Sequence, residues 1–149
     1  MQSLEKLHIN KSINLALGWL IKSGIQNNNY KNTSEFGAYN AWFNSKKKTY
    51  SYMYSEISGY LITSMIYHYK ISKNPIFLKS AKHSADWLIN NAQHENGGFL
   101  CLFLVDNNLK YKHKESLIYS FDNGVIITGL VNLYRETKDK RYLKSAIRS

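Results

Sequence analysis

The sequence predicts an all-α fold: a single domain of repeated helical hairpins, forming part of an (α/α) toroid. Three observations carry this expectation. A stretch of the chain repeats after 65 residues. Apolar residues on either side of it recur at helical spacing. The helical segments also alternate between a single apolar stripe and apolarity nearly all round.

The repeat is the most informative, because a fixed period marks stacked supersecondary units. Ser55-Glu-Ile-Ser-Gly-Tyr-Leu-Ile-Thr63 aligns with Ser120-Phe-Asp-Asn-Gly-Val-Ile-Ile-Thr128, matching Gly59 with Gly124 and Thr63 with Thr128. The same register carries Phe77-Leu-Lys-Ser-Ala81 onto Tyr142-Leu-Lys-Ser-Ala146, so it holds for 27 residues without a gap. Trp19-Leu20 matches Trp87-Leu88, and Gly37-Ala-Tyr-Asn-Ala-Trp-Phe43 resembles Gly97-Gly-Phe-Leu-Cys-Leu-Phe103. The offsets of these two pairs differ from 65, as loops of unequal length require.

The first helix is predicted from near Leu4 to Gln26, with Leu7, Ile13, Leu17, Leu20 and Ile21 on its apolar side. The second runs from about Glu56 to Lys70. Asn74-Pro75 supplies an N-cap and a proline at the first helical position of the third. That helix continues to about Gln93 with Phe77, Ala81, Ala85, Leu88 and Ala92 on one face. A fourth is expected from about Asp122 to Thr137. Asp139, in register with Asn74, caps a fifth that begins at Arg141. The third helix has one apolar stripe and belongs on the outside. The second and fourth are apolar on nearly every side and belong inside. Gly59 and Gly124, in register, are expected to let helices approach closely.

Composition sets bounds on partners and location. At 149 residues, 44% hydrophobic and 20% charged, the chain has the balance of a globular domain. The single cysteine, Cys101, excludes an internal disulfide and multi-cysteine zinc sites, and its apolar neighbours predict a buried thiol. The first residues lack the order of a secretory signal. The longest apolar run, Val125 to Val131, is far short of the ~20 residues of a membrane span. A cytoplasmic protein with no membrane span is expected. The net charge of +10 comes from lysines scattered along the chain, with one run at Lys46-Lys47-Lys48. The scatter reads as compositional bias rather than a designed patch, and no nucleic-acid motif accompanies it, so no specific nucleic-acid partner is expected; the expected partner is a saccharide or acidic glycan. The histidines lack metal-ligand spacing, and no Lys-Ser/Thr follows Gly97-Gly98, so no metal or cofactor is expected.

Several segments resemble the six-hairpin glycosidase-like superfamily: Trp87-Leu-Ile-Asn-Asn-Ala-Gln-His-Glu-Asn-Gly-Gly-Phe99, Tyr119-Ser-Phe-Asp-Asn-Gly124 and Arg141-Tyr-Leu-Lys-Ser-Ala146. Tyr50-Ser-Tyr-Met-Tyr-Ser-Glu-Ile-Ser-Gly-Tyr60 resembles the start of an inner helix in toroids from polysaccharide-biosynthesis loci. The superfamily includes glucuronyl hydrolases and N-acylglucosamine 2-epimerases. The resemblance implies an (α/α)6 toroid acting on carbohydrate as a hydrolase, lyase or epimerase. Six hairpins at this spacing exceed the chain. The expectation is therefore an N-terminal portion of a longer toroid, or a portion that completes its core by self-association.

The resemblance also implies a cleft over the N-terminal ends of the inner helices. Glu56 and Asp122 stand there, one residue apart in repeat register. They suit an acid/base pair with divided pKa values, and equally a pair of carboxylates favoured at helix N-termini. Trp42, Tyr52, Tyr54 and Tyr119 lie ahead of those ends as a platform on which a saccharide ring stacks. The alternating tyrosines suit equally an extended loop that covers the core. The alternatives to an enzyme are a non-catalytic helical binding module and an inactive piece of a longer toroid enzyme.

Overall fold

The computed structural model describes residues 2–105 and 109–149. Five α-helices dominate it: α1 (Gln2–Lys22), α2 (Ser55–Ser72), α3 (Pro75–Trp87), α4 (Ser120–Thr137) and α5 (Lys140–Arg148). A π-helical turn, Leu88–Ala92, extends α3. Among the described residues no helix is long and apolar enough to cross a membrane.

The all-α expectation needs one correction. Strands β1 (Asn40–Asn44), β2 (Thr49–Tyr54) and β3 (Leu102–Leu104) form an antiparallel sheet in the order β1-β2-β3. The reason is visible in Thr49-Tyr-Ser-Tyr-Met-Tyr54: residues that favour strands, with Ser51 and Met53 buried and the tyrosines on the other face. The first helix also stops at Lys22 rather than Gln26. Gly24 follows with φ +79°, a left-handed conformation that ends a helix at little cost to glycine. Gln26 then pairs with Tyr39 in an isolated bridge.

The 65-residue repeat is a repeat of structure. Tyr54 and Tyr119 are the N-caps of α2 and α4. Lys73 and Lys138 end those helices in left-handed conformations, with their N–H groups donating to the carbonyls of Tyr69 and Tyr134. Asn74 and Asp139 cap α3 and α5, as expected, accepting from the N–H groups of Ile76 and Arg141.

The loops repeat as well. The Gln26 amide donates to the carbonyls of Gly37 and Ser80, and the Ser80 hydroxyl donates back to Gln26 Oε1 at 2.7 Å. Gln93 does the same with Gly97 and Ser145, whose hydroxyl returns at 2.8 Å. Gly37 and Gly97 have φ of +93° and +102°, and a Cβ at either would lie 2.1 Å from a backbone carbonyl oxygen, of His83 and Arg148 respectively. Each loop is thereby pinned to the outer helix of its own hairpin, which satisfies buried backbone groups.

The core lies where α2 packs on α3 and α4, with Ile62, Met65, Trp87, Leu88, Ile126, Leu130 and Leu133 almost wholly buried. Helix α1 adds Leu17, Leu20 and Ile21 to its edge, while Ile13, expected on the apolar side, is 42% exposed. Close approach of α2 and α4 depends on two glycines. A Cβ at Gly59 would lie 2.9 Å from Ile126 Cα, and one at Gly129 would lie 2.7 Å from the Gly59 carbonyl oxygen. Gly59 thus packs as expected, but Gly124 does not: nothing lies within 4 Å of its Cβ position. Gly129 is its replacement in the contact.

A contrast between these glycines is expected. Gly129→Ala should destabilise the fold by about 1–3 kcal/mol, because the helices must separate. Gly124→Ala should stabilise it by up to about 1 kcal/mol through helix propensity. Urea denaturation of both variants checks this, and equal effects would refute the packing assignment.

Candidate functional site

Sheet and inner helices meet at the N-terminal end of α2. Strand β2 runs directly into α2, so Tyr52 and Tyr54 stand immediately ahead of Glu56 in its first turn. Register places Ala41 opposite Tyr52 on one side and Leu102 opposite Tyr54 on the other. A 3-10 helix (Leu109–Lys114) closes the rim. Glu115, just after it, accepts from the Leu104 N–H at 3.1 Å and pairs with Lys112 at 2.6 Å. These partners hold the Glu115 carboxyl below its usual range. The result is a cavity of about 220 Å³ lined by Ala41, Tyr52, Tyr54, Glu56, Ile57, Leu102, Tyr111 and Lys114. The Tyr52 ring lies edge-on to Tyr54 at 6.1 Å and tilted against Tyr111 at 5.4 Å.

Asp122 lies beneath this cavity, only 4% exposed, in the first turn of α4. Its Oδ2 has no hydrogen-bond partner. Burial raises its carboxyl above the ordinary range, against the opposing pull of the Tyr54 hydroxyl, the Cys101 thiol and its own backbone N–H. Those neighbours sit close enough to favour its charge without closing a full hydrogen bond on Oδ2. Glu56 is also raised, first by burial and then by the charge of Asp122. The two carboxyls expected to form a pair are therefore electrostatically coupled. The charge of Asp122 adds to burial in disfavouring ionisation of Glu56. Neither is an N-cap; Tyr54 and Tyr119 hold those positions.

The expected aromatic platform divides. Tyr52 and Tyr54 line the cavity. Burial pushes both hydroxyls up, so they are neutral donors over the whole working range. Trp42 points elsewhere, into a neighbouring depression of about 550 Å³ with Trp19, Phe43 and Tyr50. The two cavities share Ala41 and Ile57, which makes them adjoining. Trp42 is 68% exposed and has φ +54°, a conformation that costs a bulky side chain on the order of 1–3 kcal/mol. Tyr119 lines neither cavity. It is the repeat counterpart of Tyr54, and its carbonyl accepts from Asn123 at 2.9 Å as that of Tyr54 accepts from Ser58, but among the described residues no strand includes it.

Cys101, Tyr111 and Lys114 belong to the site without having been expected there. Cys101 is buried, as its neighbours predict, and burial raises its thiol so that it stays neutral. The position of Cys101 in the second copy of the Gly37–Phe43 motif was the available signal. Tyr111 and Lys114 carried none, because the 3-10 helix reaches the site only through tertiary packing. Among the described residues no group of three or more His, Cys, Asp or Glu comes together to hold a metal ion.

Because folding raises the Asp122 carboxyl above its ordinary 3.8, the folded chain keeps that proton to higher pH than the unfolded chain. Its contribution to stability is present in acid and is lost as pH rises through the raised value. Asp122→Asn removes this dependence, so its stability relative to wild type is expected to climb as pH rises above about 4. Urea denaturation at stepped pH measures the difference; a flat or falling difference would contradict the burial argument. Compared with known protein families, curated proteins and solved structures, the chain matches none.

Proposed function

We propose that this chain is a portion of an (α/α) toroid of the six-hairpin glycosidase-like kind that binds a saccharide, an acidic glycan in particular, and processes it in the cytoplasm. The observation that carries the reading is the coupled pair of Glu56 and Asp122 beside the Tyr52–Tyr54–Tyr111 aromatic wall. Glycan processing by hydrolase, lyase or epimerase chemistry needs a proton delivered to, or taken from, a sugar carbon or oxygen. Glu56 lines the cavity, and burial and the Asp122 charge raise its carboxyl, which suits it to donate a proton. Asp122 is buried behind it and acts through its charge. Tyr52 and Tyr54 offer ring faces and neutral hydroxyls to a sugar.

Two further features favour an extended acidic ligand. The cavity at Glu56 is small against the roughly 300–1,000 Å³ of an ordinary ligand site, and the adjoining Trp42 depression lengthens it. Lys114 in the wall supplies positive charge, as does Lys46-Lys47-Lys48 in the β1–β2 turn. The strained, exposed Trp42 is a second stacking surface within that groove.

Thermal unfolding against neutral sugars, uronic acids and short acidic oligosaccharides is the test. A saturable upward shift with the acidic class is expected. Glu56→Gln should keep that shift while turnover of the stabilising ligand falls by about 10²–10⁴. No shift across the panel would sink the glycan reading. A shift without turnover in wild type or variant would leave a binding module, which the exposed Trp42 favours.

A further inference from the structure

The two adjoining cavities differ in kind, and the difference gives the groove a direction. In the wall of the smaller one stands Lys114, half-buried, with its Nζ 6.0 Å from the centre of the Tyr111 ring. Among the described residues no carboxylate pairs with this ammonium. Glu115, next to it in sequence, is held by Lys112 at 2.6 Å and by the Leu104 N–H at 3.1 Å. Glu56 lines the same cavity without forming an ion pair with Lys114. The charge of Lys114 acts on the Cys101 thiol, whereas Glu56 answers to burial and to Asp122. Glu56 precedes Ile57 in the first turn of α2, and Ile57 and Ala41 form the junction with the Trp42 depression. That depression is aromatic, through Trp19, Trp42, Phe43 and Tyr50, and none of its lining residues is charged.

We propose that Lys114 is the specificity-determining residue of this groove. It anchors an anionic substituent on one sugar ring, and the next, uncharged ring stacks on Trp42, so that the bond between the rings lies at Glu56. This assignment rests on the glycan reading and gives it an orientation. A half-buried ammonium without a counter-ion has lost part of its hydration, and it gains most from a ligand that brings one. The lysine head is a compact point charge, so a carboxylate and a sulfate both suit it. The aromatic depression suits the opposite kind of group. A pyranose presents C–H bonds to a ring face, and a charged ring there would find no counter-ion. Trp42 combines φ +54° with a side chain 68% exposed, so its strain supports no packing and has its use in contact with a ligand. Lys46, Lys47 and Lys48 line neither cavity and act on the ligand only from a distance.

The experiment is titration of the chain with D-glucose, D-glucuronic acid, a glucose sulfate monoester, cellobiose and cellobiuronic acid, read by thermal unfolding. Wild type is expected to bind glucuronic acid or the sulfate more tightly than glucose, and the preference should shrink as salt rises. Whichever anion binds better identifies the group that Lys114 takes. Lys114→Gln should weaken the acidic monosaccharide by about tenfold and leave glucose unchanged. Lys114→Arg, which keeps the charge, should keep the preference. The ratio of acidic to neutral binding within one variant is insensitive to a general loss of stability, so a merely structural Lys114 would not move it. Cellobiuronic acid should bind more tightly than glucuronic acid, and Trp42→Ala should weaken it about fivefold while sparing the monosaccharide. A preference for acid that survives Lys114→Gln overturns this assignment alone. So does a wild type that binds acidic and neutral sugars equally, or cellobiuronic acid that binds no more tightly than glucuronic acid. Binding of none of the five overturns the assignment and the glycan reading together.

Discussion

Helices α2 and α4 touch at backbone distance, and the arrangement of the chemically active groups descends from that contact. Gly59 and Gly129 remove the side chains that would hold the two inner helices apart, leaving Ile126 against bare backbone. With the helices this close, their first turns lie side by side, and the carboxyls of Glu56 and Asp122 come within range of each other's charge. A wider interhelical spacing would dissolve that coupling, because Coulomb interaction weakens with distance and with the water admitted between the groups.

The loops determine what surrounds the pair. A helix bundle alone would leave the starts of α2 and α4 open to solvent, and two carboxylates there would keep ordinary pKa values. The three-stranded sheet changes this. It covers those helix ends, buries Asp122, and offers its tyrosine face as the wall of the cavity. Such a cover can exist only if its own buried backbone groups are satisfied. The Gln26 and Gln93 side chains do this by bridging loop carbonyls to Ser80 and Ser145 of the outer helices. Asn123 and Ser58, in register, fasten the isolated bridge residues Phe99 and Tyr39 to α4 and α2. Many polar residues buried in this fold are thus the fastenings of the loops, while the Asp122 carboxyl, like the Ser84 hydroxyl, has an oxygen left unmatched.

Stability and chemistry pull against each other at that oxygen. The positive end of α4 favours a carboxylate in its first turn, yet burial acts more strongly and raises the group. Placing a carboxyl where it is poorly solvated costs the fold, and its charge adds to burial in raising Glu56. Two exposed apolar side chains follow a related logic: Tyr67 and Ile71 on α2 lie where their repeat counterparts on α4, Asn132 and Glu136, are partly buried.

What the sequence determined is the part governed by local chemistry and periodicity. The five helices, the caps at Asn74 and Asp139, and the 65-residue register are all legible, because apolar spacing and capping side chains act within a few residues of themselves. The pairing of Glu56 with Asp122 was legible too, since repeat register carries a position from one hairpin to the next. The tertiary structure alone decided the rest. Tyr50, Tyr52 and Tyr54 alternate whether they form a loop or a strand, and only pairing with β1 and β3 makes them a wall. Gly124 and Gly129 look equally suited to close packing. Which of them meets a neighbour depends on where α2 lies against α4, a long-range relation that periodicity along one helix does not contain. Trp42 and Tyr119 were separated from the carboxylate pair for the same reason: sequence proximity to a helix end does not specify the direction in which a side chain leaves the backbone.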